Sequence, residues 1–160
     1  MIFHVSIEAD DPRRVAHALA EIWGGAAFPF PAVAEGSWAA LADDRHGSMI
    51  EIYPRGTVLR EGDDAEGAYG EQAEPRRFTS THIAMGSPLD ADAIAAIARR
   101  EGWTAKYCRR ANRFGLIELW VEGCVMVEVL TPEMQQEYLE TVTVSNWQRM
   151  LEEARVAEAA

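Results

Sequence analysis

From Phe3 to Glu8 the chain alternates. Phe3, Val5 and Ile7 share one side, and His4, Ser6 and Glu8 share the other. A period of two is that of a half-buried strand. Asp11-Pro12 then has the order of an N-cap followed by proline at the first helical position. Val15, Ala18, Leu19 and Ile22 follow at i, i+3, i+4 and i+7, which predicts a helix with one apolar face ending at Gly24-Gly25. Pro29 and Pro31 make Ala26 to Val33 an irregular edge strand, because proline donates nothing to a ladder. Trp38 to Ala42 and Met49 to Tyr53 predict two more strands. In the second, Ile50 and Ile52 oppose Met49, Glu51 and Tyr53.

The same order then starts again. Ser80 to Met85 alternates, with Ser80, His82 and Ala84 on one face. Ser87-Pro88 repeats the cap-then-proline signal, and Ile94, Ile97 and Ala98 give Leu89 to Arg100 an apolar face, closed by Gly102. Strands are predicted at Thr104–Arg109, Phe114–Val121 and Cys124–Leu130, with turns at Ala111-Asn112-Arg113 and Glu122-Gly123. Val125, Val127 and Val129 form the core face of the last strand. Between the repeats, Pro54 to Arg77 reads as irregular linker around Arg60-Glu61-Gly62-Asp63-Asp64, with a partial lid as the alternative. Two helices end the chain, about Glu133–Glu140 and Asn146–Ala157, the latter capped by Ser145 and apolar along Trp147, Met150 and Leu151. The expected fold is α+β: two βαβββ modules forming a cupped mixed sheet, plus C-terminal helices. It makes one domain, residues 1–160, with module one at about 1–56, a linker at about 57–78, module two at about 79–131 and a helical tail at 132–160.

Composition narrows the function classes. A formal charge of −11 over 160 residues disfavours nucleic acid and anionic membrane surfaces as partners. No apolar run approaches the ~20 residues of a membrane span. The start of the sequence has no basic and apolar leader pattern, so a cytoplasmic location is expected. Cys108 and Cys124 lack zinc-site spacing and read as free thiols. Basic side chains cluster locally at Arg76-Arg77 and at Arg109, Arg110 and Arg113. They are either solvated surface or an anchor for an anionic substrate group.

Glu51 lies 47 positions after His4, and Glu128 lies 46 after His82. With helices covering the valine and isoleucine faces, these four residues fall on the opposite, concave face. A glutamate among Met126, Leu130 and valines is costly to bury alone. Two histidines and two glutamates converging on a divalent cation account for all four, and a six-coordinate site would leave two positions for water or substrate oxygens. Taken singly, a strand histidine is more often hydrogen-bonded or exposed, and a strand glutamate more often lies on a wet sheet face.

At these positions the chain resembles the vicinal oxygen chelate superfamily, which includes glyoxalase I, bleomycin-resistance proteins, methylmalonyl-CoA epimerase and extradiol dioxygenases. The resemblance spans about Met1 to Pro132. It implies paired modules around a metal held by His4, Glu51, His82 and Glu128, a set most similar to that of glyoxalase I. The metal would be nickel, cobalt, zinc, manganese or iron. The implied activity is a metal-dependent lyase or isomerase acting on a small substrate with vicinal oxygens through an enediolate, with Glu128 or Glu51 as general base. The alternative is a sequestering protein of the bleomycin-resistance type without turnover. Trp38, Tyr53, Tyr107, Phe114 and Trp120 are the candidate substrate-binding aromatics. A homodimer is expected, because open sheet edges and the Trp147 face call for cover. One departure stands out: bacterial glyoxalase I has a Thr-x-Asn segment for glutathione after its first metal glutamate, whereas this chain reads Glu51-Ile52-Tyr53-Pro54-Arg55-Gly56.

Overall fold

The computed structural model describes residues 2–63, 67–110 and 112–158. The predicted linker residue Asp64 and turn residue Ala111 lie outside them. The first module runs β1 (His4–Ala9), α1 (Pro12–Trp23), β2 (Ala26–Pro29), β3 (Trp38–Leu41), β4 (Met49–Pro54). After a hairpin of β5 (Thr57–Arg60) and β6 (Tyr69–Gln72), the second runs β7 (Ile83–Gly86), α2 (Ala91–Glu101), β8 (Thr104–Arg110), β9 (Phe114–Val121), β10 (Val125–Leu130). Helices α3 (Pro132–Thr141) and α4 (Val144–Glu158) follow.

The two modules have the same topology. Their sheets are separate four-stranded units in the order β1-β4-β3-β2 and β7-β10-β9-β8. In each, the first and last strands pair in parallel and the remaining pairs are antiparallel. The edge position of β2 agrees with Pro29 at its end. The βαβββ pattern predicted from periodicity is therefore the observed one, with the cup divided between two sheets.

The helix caps show where local signals were read well. Asp11 caps α1 by accepting from Arg14 N–H, and Gly24 closes it at φ 76°. At α2 the expectation fails: the cap is Asp90, which accepts from Ala93 N–H at 2.8 Å. Ser87, assigned that role by sequence, is buried. Its hydroxyl donates to the Ile22 carbonyl and accepts from Leu89 N–H at 3.1 Å. It thus ties the second module to the end of α1. Likewise Thr143, not Ser145, accepts from Asn146 N–H at the start of α4. The linker holds a hairpin the sequence did not suggest. Gly56, at φ 90°, makes the turn from β4 into β5, and Thr57-Val58-Leu59 supplies the β-favouring run. Phe3 also departs from expectation, being 61% exposed ahead of β1.

One core joins the modules. Ile7, Ile50 and Ile52 meet Val15, Leu19 and Ile22 of α1, and Val127, Val129 and Ile117 meet Ile94 and Ile97 of α2 in a continuous cluster. Arg100 reaches across to Glu21 at 2.7 Å and Arg14 to Glu101 at 2.7 Å. The Arg100–Glu21 pair, half-exposed on both sides, adds little. Cys108 and Cys124 are free thiols. Among the described residues no helix is long and apolar enough to cross a membrane.

Gly25 links α1 to β2 where the chain passes β3. A Cβ there would lie 1.8 Å from the Leu41 carbonyl oxygen and 3.0 Å from Ala42 Cα. Both are backbone atoms, so relief requires moving a strand. Gly25→Ala is expected to destabilise the fold by about 2 kcal/mol, within the range for overpacking. Urea unfolding would read this as a lower midpoint with an unchanged slope; an unshifted midpoint would refute it.

Candidate functional site

The strand registers place the two histidine–glutamate pairs equivalently. Ser6 stands opposite Glu51 in the β1–β4 ladder, and Ala84 opposite Glu128 in the β7–β10 ladder. His4 lies two positions before Ser6, and His82 two before Ala84. Each histidine therefore shares a strand parity with its glutamate. The surroundings then diverge.

Glu51 is buried, at 7% exposure. One of its oxygens, Oε2, accepts from Tyr53 hydroxyl at 2.5 Å and from Ser6 hydroxyl at 3.0 Å. The other, Oε1, lies 3.8 Å from His4 Nε2. Tyr53 falls on this face because it is two residues from Glu51 in β4, and Ser6 because it is the register partner. Burial, and then the hydrogen bond to the Glu51 carboxylate, push the Tyr53 phenol up to about 12. It is consequently a fixed neutral donor at any ordinary pH. A buried carboxylate is held here by two uncharged hydroxyls, with its second oxygen left facing an imidazole.

Glu128 has no such hydroxyls, since Ala84 and Leu130 occupy the places of Ser6 and Tyr53. It is satisfied by charge instead. Arg110 Nη2 donates to Glu128 at 2.6 Å and to Glu118 at 2.9 Å. These contacts, the Glu128 bond foremost, raise the guanidinium above its ordinary value. One arginine is thus shared by two carboxylates on the second sheet, and Glu128 is an ion-pair partner rather than a free carboxylate.

His82 lies just before β7, not within it as its alternation predicts, and is exposed. Its ring nitrogen Nδ1 is 3.3 Å from the Ser80 carbonyl. It shares with His4 the lining of a cleft between β1 and β7, whereas Glu128 lines a different cavity beneath α4. Among the described residues no three of His, Cys, Asp and Glu come together as a metal-holding group. The pair His4 and Glu51 does fit as two donors. Two ligands each ~2.1 Å from one ion stand at most ~4.2 Å apart, and 3.8 Å lies within that span.

The five candidate aromatics do not gather. The β3–β4 register pairs Trp38 with Ile52, on the face under α1, where its ring meets His17 edge-on at 5.1 Å and Arg13 at 5.5 Å. Tyr107 is 55% exposed on the β8 edge, its phenol 3.3 Å from Arg109. Phe114 packs against Tyr138 at 5.1 Å and lines the Glu128 cavity. Trp120 pairs across the ladders with Met126 and Thr104. Only Tyr53 reaches the Glu51 site. Period-two alternation fixes parity along one strand and not which parity faces a helix; that is why Trp38 was misplaced. Two contributors were missed by sequence. Ser6 was visible only as a face-mate of His4, and the ion-pair role of Arg110 had no signal beyond its basic cluster.

No family model matches the chain, and no curated protein sequence matches it. Solved structures do. The fosfomycin resistance protein FosX from Listeria monocytogenes is similar over 86% of this chain and 97% of its own, at 14% identity and a TM-score of 0.52. Lactoylglutathione lyase from Agrobacterium tumefaciens is similar over 83% and 94%, at 12% identity and 0.51. A hypothetical protein from S. aureus is similar over 82% and 96%, at 8% identity and 0.51.

Proposed function

From a chain that has the glyoxalase-like fold of the vicinal oxygen chelate proteins, we propose an enzyme that moves a proton between neighbouring carbons of a small, oxygen-rich substrate, with Glu51 as the base. The observation that carries this is the asymmetry of the two glutamates. Glu51 Oε2 is clamped by Ser6 and Tyr53, which aims Oε1 without neutralising it. Glu128 is committed to Arg110. A general base needs an oriented carboxylate in reach of substrate and not locked in an ion pair with an arginine. Burial shields it from water and strengthens its interactions.

His4 and Glu51 are two of the side chains that would hold a divalent cation at this site. His82 lines the same cleft as His4, while Glu128 lies in another cavity of the same chain, so Glu128 would join the set only from a second copy and on release from Arg110. When bound, the ion supplies Lewis-acid polarisation of adjacent substrate oxygens. The remaining work belongs to the chain: Ser6 and Tyr53 hold the carboxylate, and His4 borders its free oxygen. A homodimer follows from this reading, and the exposed apolar residues Val144, Trp147 and Leu151 of α4 support it.

The test is thermal. Nickel, cobalt, zinc, manganese or iron(II), titrated singly, is expected to stabilise the native state by about 2.7 kcal/mol at a hundredfold excess over Kd. His4→Ala is expected to abolish most of the shift, and sedimentation should give twice 17.7 kDa. A melting temperature unmoved by every ion and by chelator would overturn the metal reading. A 17.7 kDa species alone would overturn the shared site.

A second reading, sequestration without turnover, has its own support. Beneath α4 lies a largely apolar cavity of about 380 Å³, bounded by Phe114, Tyr138, Trp147 and Met150 over the Arg110–Glu128 pair. Tight binding of an aromatic compound there, insensitive to Glu51→Gln, would favour it.

A further inference from the structure

A cavity of about 160 Å³ opens on the concave face of the first module. Ser6 and Tyr53, the two residues that clamp Glu51, form part of its wall. Arg76, Arg77, Thr79 and Thr81, from the segment leading into β7, form another part. This is smaller than the ~300 Å³ at which drug-sized pockets begin, so it suits a molecule of a few carbons.

The charges in this wall are unevenly matched. Arg55 also borders the cavity, but its guanidinium is taken by Asp10 and Glu122. Glu8 is the one carboxylate in the lining, and it accepts Gly56 N–H at 2.8 Å. Arg76 and Arg77 have no ion-pair partner among the described residues. Adjacent guanidinia repel each other. A chain of net charge −11 has carboxylates in excess to relieve that repulsion, yet among the described residues none lies within ion-pairing distance of them. Their planar forks are suited to bidentate donation to an oxyanion, and the threonine hydroxyls can donate alongside.

We propose that this cavity binds the anionic group of the substrate, a carboxylate or phosphate held by Arg76 and Arg77. The substrate class is then a small oxygenated acid or phosphate ester, docked so that the carbon next to its anionic group faces the Glu51 site. This rests on the proton-transfer reading and names the substrate class for it.

The experiment is a calorimetric titration of the full chain with 2-phosphoglycolate, lactate, inorganic phosphate and glycerol. An oxyanion-bearing probe is expected to bind, with affinity falling as salt rises, while glycerol does not. The double variant Arg76→Gln/Arg77→Gln should weaken that binding at least tenfold, and Arg76→Lys/Arg77→Lys should restore part of it. Arg45→Gln, an exposed site elsewhere, should change nothing. Lactate binding assigns the oxyanion as a carboxylate, whereas binding of 2-phosphoglycolate, which carries both groups, without binding of lactate assigns it as a phosphate. Inorganic phosphate binding as tightly as 2-phosphoglycolate would overturn the substrate assignment. Absence of anion binding, or binding indifferent to the double glutamine variant, would overturn the anchor. Failure of the two readings is separable: Glu51→Gln should bind the anion as the unaltered chain does. Anion binding without turnover of any such substrate would defeat the base and leave the anchor standing.

Discussion

Glu51→Gln is expected to lower turnover by about 10²- to 10⁴-fold, the usual worth of a general base. The substitution conserves size, and its amide oxygen can go on accepting from Ser6 and Tyr53, whose hydroxyls are 3.0 and 2.5 Å from the native carboxylate. Folding should therefore persist while the proton acceptor is lost. Glu128→Gln is expected to cost much less in turnover. It weakens an ion pair with Arg110, which keeps Glu118 as a second carboxylate. The two variants thus separate roles that alternation along the strands leaves equal. Steady-state kinetics on 2-oxoaldehyde adducts of several thiols, and on small acids and phosphate esters, would measure both. Equal losses would assign the base to a shared function of both glutamates. A larger loss at Glu128 would transfer the role there, and the hydroxyl clamp on Glu51 would be structural.

Arg55→Met is expected to destabilise the fold by about 3 kcal/mol, at the low end of the range for breaking a buried ion pair. The Arg55 side chain is 9% exposed and bonds Asp10 at 2.5 Å and Glu122 at 2.7 Å. Glu122 sits in the β9–β10 turn of the second module and also accepts the backbone N–H groups of Asp10 and Asp11, at 2.6 and 2.9 Å. Arg55 is therefore the centre of a clasp between the modules. Methionine keeps most of the apolar stem but leaves Glu122, itself only 13% exposed, without its counter-charge. Asp10 is half-exposed and hydrates at little cost, which keeps the effect at the lower end. For a chain of 160 residues this is a drop in Tm of about 6–12 °C. Calorimetry would read it, and the double variant Arg55→Met/Glu122→Gln should recover part of the loss because the orphaned charge is gone. A shift under 2 °C would mean that water replaces the clasp.

Much of the architecture was legible because short-range periodicity governs it. The alternation of Val5 and Ile7, the helical spacing of Val15 to Ile22 and their recurrence at Ile83 and Ile94 specify two βαβββ units, since only those faces can be buried together. Asp11 and Gly24 marked the ends of α1 because caps act over a few residues. Ser87 and Ser145 misled for the same reason: a serine near a helix start competes with other uses of its hydroxyl, and for Ser87 the Ile22 carbonyl of the other module won.

The sequence by itself determined the βαβββ repeat, the strand parity of His4 with Ser6 and Glu51 with Tyr53, and the equivalence of the two histidine–glutamate pairs. These follow from periods of two and 3.6 residues acting along one segment. Tertiary structure alone decided that the two equivalent glutamates differ. A hydroxyl clamp forms where Ser6 meets Glu51 across a parallel ladder, and an arginine clamp where β8 brings Arg110 over Glu128. It likewise decided that Trp38 lies beneath α1, and that Arg76 and Arg77 reach the cavity beside Tyr53. Those outcomes depend on which strand lies beside which and on how far a long side chain reaches, and neither is set by the spacing of residues along the chain.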